Sequence, residues 1–450
     1  MIAVLRNLWP LFLGLALLMV GNGIQGTLLG VRGAIEGFAT WQLSIIMSAY
    51  YAGFLIGSRM APGMIRRVGH VRVFAALGSL ISAALVLFAA VPDWMAWVAL
   101  RMLIGFAFCG VYVTAESWLN NAATNETRGQ TLSLYMIVQM VGIISAQGLL
   151  NIASPEGYAL FALASVLVSV AFTPILLSIG PTPVFATIKP MTIRALFVAS
   201  PLGCVGMFLV GGISSAMYGM AAVWGTLAGL SVAQISAFIA AIFVGGLLLQ
   251  YPLGWVSDRM DRRRLAVLVA LAGAAAMAVA VALPLGFPAL LGLAVIIGGV
   301  GNPLYSLLLA HTNDFLDNED MAAASAGLLF ISGLGAVVGP LLTGVAMAQF
   351  GPNGFFAYIG LLCTILTAYA LWRTTRRPAP AVETTAPFSV TTATASPIAL
   401  EAVYVAAQED AAQAEAEAAA QAEAEAAAEA ATPDSPPPDA DAPPPPDRPT

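Results

Sequence analysis

The chain has 450 residues, of which 59% are hydrophobic and only 9% are charged. A soluble domain carries about 25% charged residues, so this composition excludes an ordinary soluble globular protein and predicts an integral membrane protein. No basic stretch with interleaved aromatic residues indicates a nucleic-acid partner.

The net charge of −6 is divided unevenly along the chain. Residues 1–377 hold 17 of the 18 basic and 11 of the 24 acidic residues, a net charge of +6, whereas residues 378–450 carry −12. Residues 401–431 are a tract of Ala, Glu and Gln without an apolar face, and a proline-rich segment follows. This composition predicts that 378–450 is a solvated acidic tail without a fixed fold.

Twelve apolar stretches follow one another through residues 1–377, and each is long enough to cross a bilayer as a helix of about 20 residues. The first begins after Arg6 and has no small-residue cleavage site, which favours an uncleaved span over a signal peptide. The longest polar interruption, residues 180–194, divides the body into six-span halves at 1–179 and 195–377. In chain order the predicted spans are 9–30, 41–62, 72–92, 94–119, 130–152, 158–179, 195–218, 232–254, 265–284, 287–311, 321–349 and 353–373.

Positive charge is concentrated in alternate loops between these spans. If the spans alternate in direction, the basic loops share one side of the membrane, and cytoplasmic loops are the ones enriched in Lys and Arg. The sequence therefore predicts a multi-pass protein of the cytoplasmic (inner) membrane with both termini and the 180–194 linker in the cytoplasm. The basic residues on that side are Arg6, Arg66, Arg67, Arg72, Arg128, Lys189, Arg194, Arg259, Arg262, Arg263, Arg264, Arg373, Arg376 and Arg377.

An internal repeat relates the two halves. The loop PGMIRRVGHVRV at 62–73 aligns with GWVSDRMDRRRL at 254–265 when it is shifted by 192 residues. In each loop a small or turn residue and apolar positions precede a dense basic cluster. Repeated halves related by an axis normal to the membrane are a known transporter architecture, with the binding site at mid-membrane between them.

The second loop resembles the cytoplasmic loop motif of the major facilitator superfamily, G-x-L-x-D-R-x-G-R-R. Asp261 replaces the second glycine of that motif, and the first loop keeps Gly69 but has Arg66 where the family has an aspartate. The matching positions of the second loop are Gly254, Val256, Asp258, Arg259, Arg262 and Arg263.

Two further patterns carry the same resemblance. Arg101 with Gly105 resembles the fourth-span Arg-x-x-x-Gly pattern of the superfamily, and GAVVGPLLTG at 335–344 resembles its eleventh-span glycine-proline helix. The stretches RRVGHVRVFA, AESWLN and AHTND together resemble the YcaD-type branch, whose substrate is undefined. The resemblance implies an all-α polytopic membrane protein of about twelve transmembrane helices in two pseudo-symmetric six-helix halves.

Ionisable side chains inside the bilayer are costly, about 2.5–3.5 kcal/mol on insertion scales, and are functional by default. Arg101 is predicted about 8–10 Å from the midplane at 1.5 Å per residue. Arg101 either faces the cavity, where it binds substrate or takes part in coupling, or donates to backbone carbonyls and makes the helix bundle rigid. Fourth-span arginines of the superfamily are associated with proton coupling, which the resemblance extends to Arg101. Glu116, within about 60° of the same helix face, is either part of a gate or a proton carrier.

Uncharged polar residues are predicted near the midplane of four spans. Asn22 and Gln25 are three apart and share a helix face. The resemblance implies that spans one, four, five and ten line a central cavity, so these residues are predicted to contact substrate; the alternative is hydrogen bonding between helices. With Arg101, the predicted substrate-binding residues are Asn22, Gln25, Gln139, Asn302 and Tyr305.

Charged residues at the cytoplasmic ends of the spans are predicted to form gates between the halves. The resemblance places the first loop beside the start of span eleven. Arg66 and Arg67 are therefore expected to contact the acids there with the family's signs reversed, namely Asp317, Glu319 and Asp320. Asp258, followed by Arg259, is expected to face Arg128 at the start of span five. At the end of span ten, His311 and Asp314 are a predicted gate, with a proton switch at His311 as the alternative.

The sequence predicts a secondary active transporter that moves a small organic solute by alternating access, with proton coupling left open. The inferred cavity has amides, a phenol and Arg101 without a central carboxylate, which favours a neutral or anionic solute. No enzyme motif, nucleotide-binding loop, cofactor site or metal-ligand set is recognisable, and Cys109, Cys204 and Cys363 lie singly in separate apolar stretches. The alternative function is a transporter-like sensor or scaffold that presents the acidic tail.

Overall fold

A computed structural model describes residues 2–123, 127–177, 191–316 and 318–376, and residues 420, 421, 423 and 424. Most of the predicted linker 180–194 and nearly all of the predicted tail 378–450 lie outside the described residues. The side chain of Arg128 does too, so its predicted contact with Asp258 has no structural account.

The described chain is built from helices, and no strand occurs among its described residues. The first half contains α1 (Ile2–Ile35), α2 (Thr40–Val68), α3 (His70–Ala90), α4 (Trp94–Ala122), α5 (Arg128–Leu149) and α6 (Ala159–Leu177). A short α7 (Ile193–Ala199) precedes α8 (Pro201–Ser215), which continues through a π-helical segment (Ala216–Met220) into α9 (Ala221–Leu227). The remaining helices are α10 (Val232–Ser257), α11 (Arg262–Ala282), α12 (Phe287–Asn313), α13 (Asn318–Phe350) and α14 (Gly354–Thr374).

The predicted all-helical fold with twelve spans is confirmed. Ten segments of the described chain are long and apolar enough to cross a membrane, and one of them, Ala323–Thr374, includes most of α13 and all of α14. The 29-residue α2 is not among the ten, although its length suffices to cross a bilayer. Large apolar side chains such as Val166, Leu248 and Leu361 are exposed on the outer surface, as contact with lipid tails requires.

The 192-residue offset of the loop repeat recurs in the helix boundaries. The 21-residue helix α3 begins at His70 and ends at Ala90, and α11 begins at Arg262 and ends at Ala282. Likewise α2 begins at Thr40 and α10 begins at Val232. We call the end where α2 meets α3 and α10 meets α11 the basic end, because both repeated basic loops lie there.

Glycines allow two pairs of helices to approach very closely at equivalent places in the two halves. A Cβ added at Gly105 of α4 would overlap the backbone carbonyl oxygen of Tyr50 in α2. A Cβ added at Gly298 of α12 would overlap the carbonyl oxygen of Ile242 in α10. The glycine of the fourth-span Arg-x-x-x-Gly pattern therefore sets the distance between α2 and α4, because only hydrogen fits against the facing backbone.

Gly105→Ala is expected to destabilise the protein by about 1–3 kcal/mol, because α2 and α4 must separate to admit a methyl group. Gly63→Ala in α2 is the matched control: nothing lies within 4 Å of its added Cβ. In a helix, alanine is favoured over glycine by about 0.5–1 kcal/mol, so this control should be neutral or stabilising. Apparent melting temperatures in detergent compare the two variants; equal effects would contradict the close-packing account.

The halves meet along seams that are themselves repeated. Helix α2 contacts α13, and α10 contacts α5, while α1 contacts α9. At the end opposite the basic end, Gly30 of α1 lies against Ala222 of α9, and Gly344 of α13 lies against Ser44 of α2. Nearby, the Ser48 hydroxyl donates to the carbonyl oxygen of Val337 at 2.5 Å. The halves are therefore in direct contact at that end.

Candidate functional site

A cavity of about 630 Å³ lies between the halves and is walled by both of them. Small-molecule sites commonly have volumes of about 300–1,000 Å³, so a solute of moderate size fits. Its wall runs from Asn22 and Gln139 in the middle of the bundle to Arg59 of α2 and Gly327 of α13 toward the basic end. The cavity thus extends toward the end opposite the direct contacts between α1 and α9.

Arg101 is the buried cation of this cavity. Its side chain is only 4% exposed, and one guanidinium nitrogen donates to Gln25 Oε1 at 2.6 Å. The other terminal nitrogen faces the sulfur of Met47 at 3.6 Å, and the guanidinium carbon lies 4.8 Å from the ring centre of Tyr50. Its Nε has no hydrogen-bond partner, and no ion pair joins Arg101 to an acid of the described residues.

A chain of polar side chains continues from Arg101 along the wall of the first half. Gln25 Nε2 donates to Asn22 Oδ1 at 3.0 Å, and Asn22 Nδ2 donates to the Tyr112 hydroxyl at 3.1 Å. The spacing of three residues between Asn22 and Gln25 makes this possible, because both point to one side of α1. The amide of Gln25 is therefore fixed with its oxygen toward the guanidinium.

The second half contributes a smaller polar pair, formed by Tyr218 and Asn302. The Tyr218 hydroxyl donates to Asn302 Oδ1 at 2.7 Å, and the Tyr218 ring stacks on Phe243 with centroids 4.8 Å apart. Tyr218 lies in the π-helical segment Ala216–Met220. Such segments insert one residue into a turn and change the direction of the following side chains, and they are frequent at functional sites.

Five of the six residues predicted to bind substrate line the cavity: Asn22, Gln25, Arg101, Gln139 and Asn302. Tyr305 does not; its side chain is 1% exposed and is packed in the core. Every residue of α12 from Ile297 to Asn313 is buried, so only the part of the helix near Asn302 reaches the cavity. The placement of Tyr305 in the cavity was therefore wrong.

Sequence reasoning missed several cavity residues. Arg59 lines the cavity near the basic end, and its guanidinium carbon lies 4.2 Å from the ring centre of Phe330 in α13. Tyr50, Tyr112 and Tyr218 were also missed. The repeat could have found part of this wall, because a shift of 192 residues places Asn22 on Ser214, which lines the cavity four residues before Tyr218.

At the basic end, the second repeated loop is tied to α12 by charge. Arg262 pairs with Asp314 and lies 3.6 Å from Asp258, and its Nε donates to the Ser257 hydroxyl at 3.3 Å. Both Arg262 and Asp314 side chains are 3% exposed. Burial raises the pKa of Asp314 from 3.8 to about 6, partly offset by Arg262, with Asp261 and Asp258 raising it further. This contact lies within the second half, whereas the contact predicted for Asp258 joins the two halves.

The other predicted gate residues are placed differently. Arg66 and Arg67 at the end of α2 and Asp320 in the first turn of α13 are exposed, and no ion pair among described side chains joins them. The expected sign-reversed contact with Asp320 is therefore not made in this conformation, while Asp317 and the side chain of Glu319 lie outside the described residues. Arg259, in the turn after α10, stacks on Trp255 near the end of that helix, with 4.0 Å from its guanidinium carbon to the ring centre.

Glu116 and His311 are both buried near the basic end. Glu116 is 0% exposed, and its carboxylate accepts a hydrogen bond from the Tyr135 hydroxyl of α5 at 2.7 Å. His311 is 5% exposed and packs edge-on against Phe315, with ring centres 5.1 Å apart. Neither side chain is among those that line the cavity. Within the described residues, no cluster of His, Cys, Asp and Glu could hold a metal ion.

Known proteins resemble this chain in sequence over most of its membrane body. The family model described as Sugar (and other) transporter matches residues 20–195, and the Major Facilitator Superfamily model matches residues 202–408. The uncharacterized MFS-type transporter YcaD of Escherichia coli O139:H28 is 26% identical over 380 residues, covering 83% of this chain and 98% of that protein. An uncharacterized MFS-type transporter of Yersinia pestis (strain Pestoides F) is 26% identical over 359 residues, covering 79% and 92%.

Solved structures share the fold at lower identity. The nucleoside transporter NupG, in a mutant form, has a TM-score of 0.69 at 14% identity and covers 81% of this chain and 98% of its own. A bacterial homologue of the human lysosomal transporter Spinster, in an inward-facing and unoccupied conformation, has a TM-score of 0.60 at 16% identity, covering 89% and 96%. The relatives are transporters, not enzymes. With the helical repeat, the central cavity and these matches, the chain has the fold of the Major Facilitator Superfamily and resembles its YcaD-type members.

Proposed function

We propose that the protein is a secondary active transporter that moves a small organic solute, neutral or anionic, by alternating access. The observation that carries the proposal is the cavity between the repeated halves, with Arg101 buried in its wall. In this proposal Asn22, Gln25, Arg101, Gln139 and Asn302 contact the solute.

The direct contacts at one end and the cavity at the other support an inward-facing conformation. In the proposed cycle the basic end closes when the ends of α2 and α13 that lie beyond Arg59 and Phe330 move toward each other. The sign-reversed contact of Arg66 and Arg67 with Asp320 belongs to that outward-facing state and stays a prediction.

Proton coupling is a separate part of the proposal, with Glu116 as the carrier. Glu116 is completely buried, where a neutral carboxyl costs less than an unpaired carboxylate, and the Tyr135 hydroxyl can donate to either form. Uptake driven by an imposed pH gradient in proteoliposomes tests this step. Glu116→Gln is expected to remove the dependence on the gradient but to keep exchange of solute across the membrane.

Transport itself is tested by first finding a ligand. Purified protein is screened for solutes that raise its apparent melting temperature, because a ligand that binds only the folded state stabilises it by mass action. Each such solute is then measured for uptake into proteoliposomes. Uptake by a chain that ends at residue 377 would contradict the alternative role of a scaffold for the acidic tail; loss of all uptake without the tail would contradict the transporter proposal in its present form.

The proposed orientation places the basic end and both termini in the cytoplasm. Arg194→Cys in α7 is expected to react with an impermeant thiol reagent only in inside-out vesicles. The matched variant Val91→Cys, between α3 and α4, should react only from the outside of intact cells. Both positions are exposed, while the native Cys109, Cys204 and Cys363 are buried. Labelling of Arg194→Cys in intact cells would reverse the topology.

A further inference from the structure

We propose that the solute is an organic anion with an apolar, planar body, bound with its anionic group at Arg101 and its body against the second half. The assignment rests on the proposed transport function and narrows the class of solute. It follows from three features of the cavity: its charge, the state of the Arg101 guanidinium, and the difference between its two walls.

The described wall of the cavity is positively charged. It contains the guanidinium groups of Arg59 and Arg101, and no aspartate or glutamate is among the described residues that line it. Both arginines belong to the first half. A cationic solute would be repelled from this cavity, because like charges interact strongly where water is scarce.

Arg101 lacks the partners that a buried guanidinium needs. A buried charge normally has a counter-ion and a full set of hydrogen bonds, because its removal from water is otherwise costly. Here Nε is buried without a partner, and the terminal nitrogens face a neutral amide and a thioether sulfur. A planar anion such as a carboxylate supplies both the charge and the paired acceptors that match the guanidinium fork.

The two walls differ in polarity at equivalent positions of the repeat. A shift of 192 residues places Gln25 of α1 on Met217. The equivalent glycines Gly105 and Gly298 align α4 with α12 at a shift of 193, which places Arg101 on Ala294. The paired Gln25 and Arg101 therefore have apolar counterparts in the second half. The part of α13 that lines the cavity consists of small or apolar residues apart from Ser332, namely Ala323, Ala326, Gly327, Leu329, Phe330, Gly333 and Ala336.

Aromatic rings complete this apolar wall. Tyr218 and Phe243 are stacked with an angle of 22° between their planes, and both line the cavity. Flat ring faces favour offset stacking with another ring. The rings of Tyr50, Tyr51 and Phe54 line the first half, but that wall also holds both arginines. The anionic group is therefore directed to the first half, and the flat apolar body to the uncharged wall of the second.

The assignment is tested with matched probes. Phenylacetate, naphthylacetate and indoleacetate are each compared with their neutral amides, with phenethylamine as the cation and acetate as the anion without a ring. A hydrogen bond between two charged groups is stronger than one between a charged group and an amide. We therefore expect at least one aryl carboxylate to bind about tenfold or more tightly than its amide. Acetate and phenethylamine should bind far more weakly than that carboxylate.

Gln25→Glu is the sharpest variant, because it places a carboxylate where the Gln25 oxygen already accepts from Arg101 at 2.6 Å. The internal acid should satisfy the guanidinium and exclude an external anion, so the preference for carboxylate over amide should fall below about twofold. The unliganded variant should be at least as stable as the wild type, which separates lost binding from misfolding. Arg101→Gln should lose the same preference.

Gln234→Glu is the matched control. Gln234 occupies the third position of α10, where its side chain accepts from the Ser231 backbone in a capping box that glutamate also forms. This variant should keep the carboxylate preference. The inference is overturned if every amide binds as tightly as its carboxylate, or if Gln25→Glu keeps the preference. Uptake of neutral solutes alone would overturn the anion assignment but leave the transport proposal standing.

Discussion

Arg101→Ala is expected to reduce transport by about 100-fold or more while folded protein remains in the membrane. The variant would lose the two hydrogen bonds that we propose between the guanidinium and the solute, and each hydrogen bond to a charged group contributes about 1.5–3 kcal/mol. Folding should survive, because the change removes a cation that is 4% exposed and has no acidic partner among the described residues. Initial rates of uptake and the yield of monodisperse protein measure the two effects separately.

Arg101→Lys should restore little of this transport. A lysine ammonium is a point charge and cannot offer the planar fork of the guanidinium to a carboxylate. The ammonium would also lose the position over the Tyr50 ring that the guanidinium occupies at 4.8 Å. Full activity of the lysine variant would indicate that charge alone matters at this position.

Arg32→Ala is the control for the loss of an arginine from the membrane body. Arg32 pairs with Glu36 one turn further along α1, at the end opposite the basic end. Partly exposed pairs of this kind contribute about 0.2–1 kcal/mol, so transport should be nearly normal. An Arg101→Ala protein that unfolds, beside a stable Arg32→Ala protein, would show that Arg101 has a structural rather than a binding role.

Arg262→Gln is expected to destabilise the protein by about 3–5 kcal/mol at pH about 8, because it leaves the buried Asp314 carboxylate without its cation. Asp258 and Asp261 act on the same carboxyl and raise its pKa, so they make the unpaired charge still less favourable. The double variant Arg262→Gln with Asp314→Asn removes that charge and should recover much of the loss. Thermal unfolding in detergent measures the three proteins.

The effect of Arg262→Gln should depend on pH in a direction fixed by Asp314. Burial raises the pKa of this carboxyl to about 6, so the folded protein holds its proton more tightly than the unfolded chain. The contribution of the group to stability is complete below pH about 4 and is lost as the pH rises through about 6. The destabilisation should therefore be small at pH about 5 and large at pH about 8. A loss independent of pH would assign the effect to packing instead.

The number of spans, the repeat and the central position of Arg101 could be predicted from the sequence. The bilayer thickness sets the length of each span, and the Lys and Arg content of the loops indicates the orientation of the chain. Both features can be read from short stretches of sequence. The offset between 62–73 and 254–265 recurs in helix boundaries because each half folds by the same local pattern. Asn22 and Gln25 could be assigned to one face because helical spacing alone decides it.

Only the tertiary structure decided which polar side chains reach the cavity. Asn302 and Tyr305 share a helix, yet the surrounding helices bury the Tyr305 side chain completely and leave Asn302 at the cavity wall. Tyr218 is directed by a π-helical turn, whose extra residue rotates the helix beyond it and is not encoded by hydrophobic periodicity. Arg262 pairs with Asp314, 52 residues away, because the packing of α11 against α12 brings the two together. Composition and spacing identify a span, whereas the direction of each side chain around it depends on the helices packed against it.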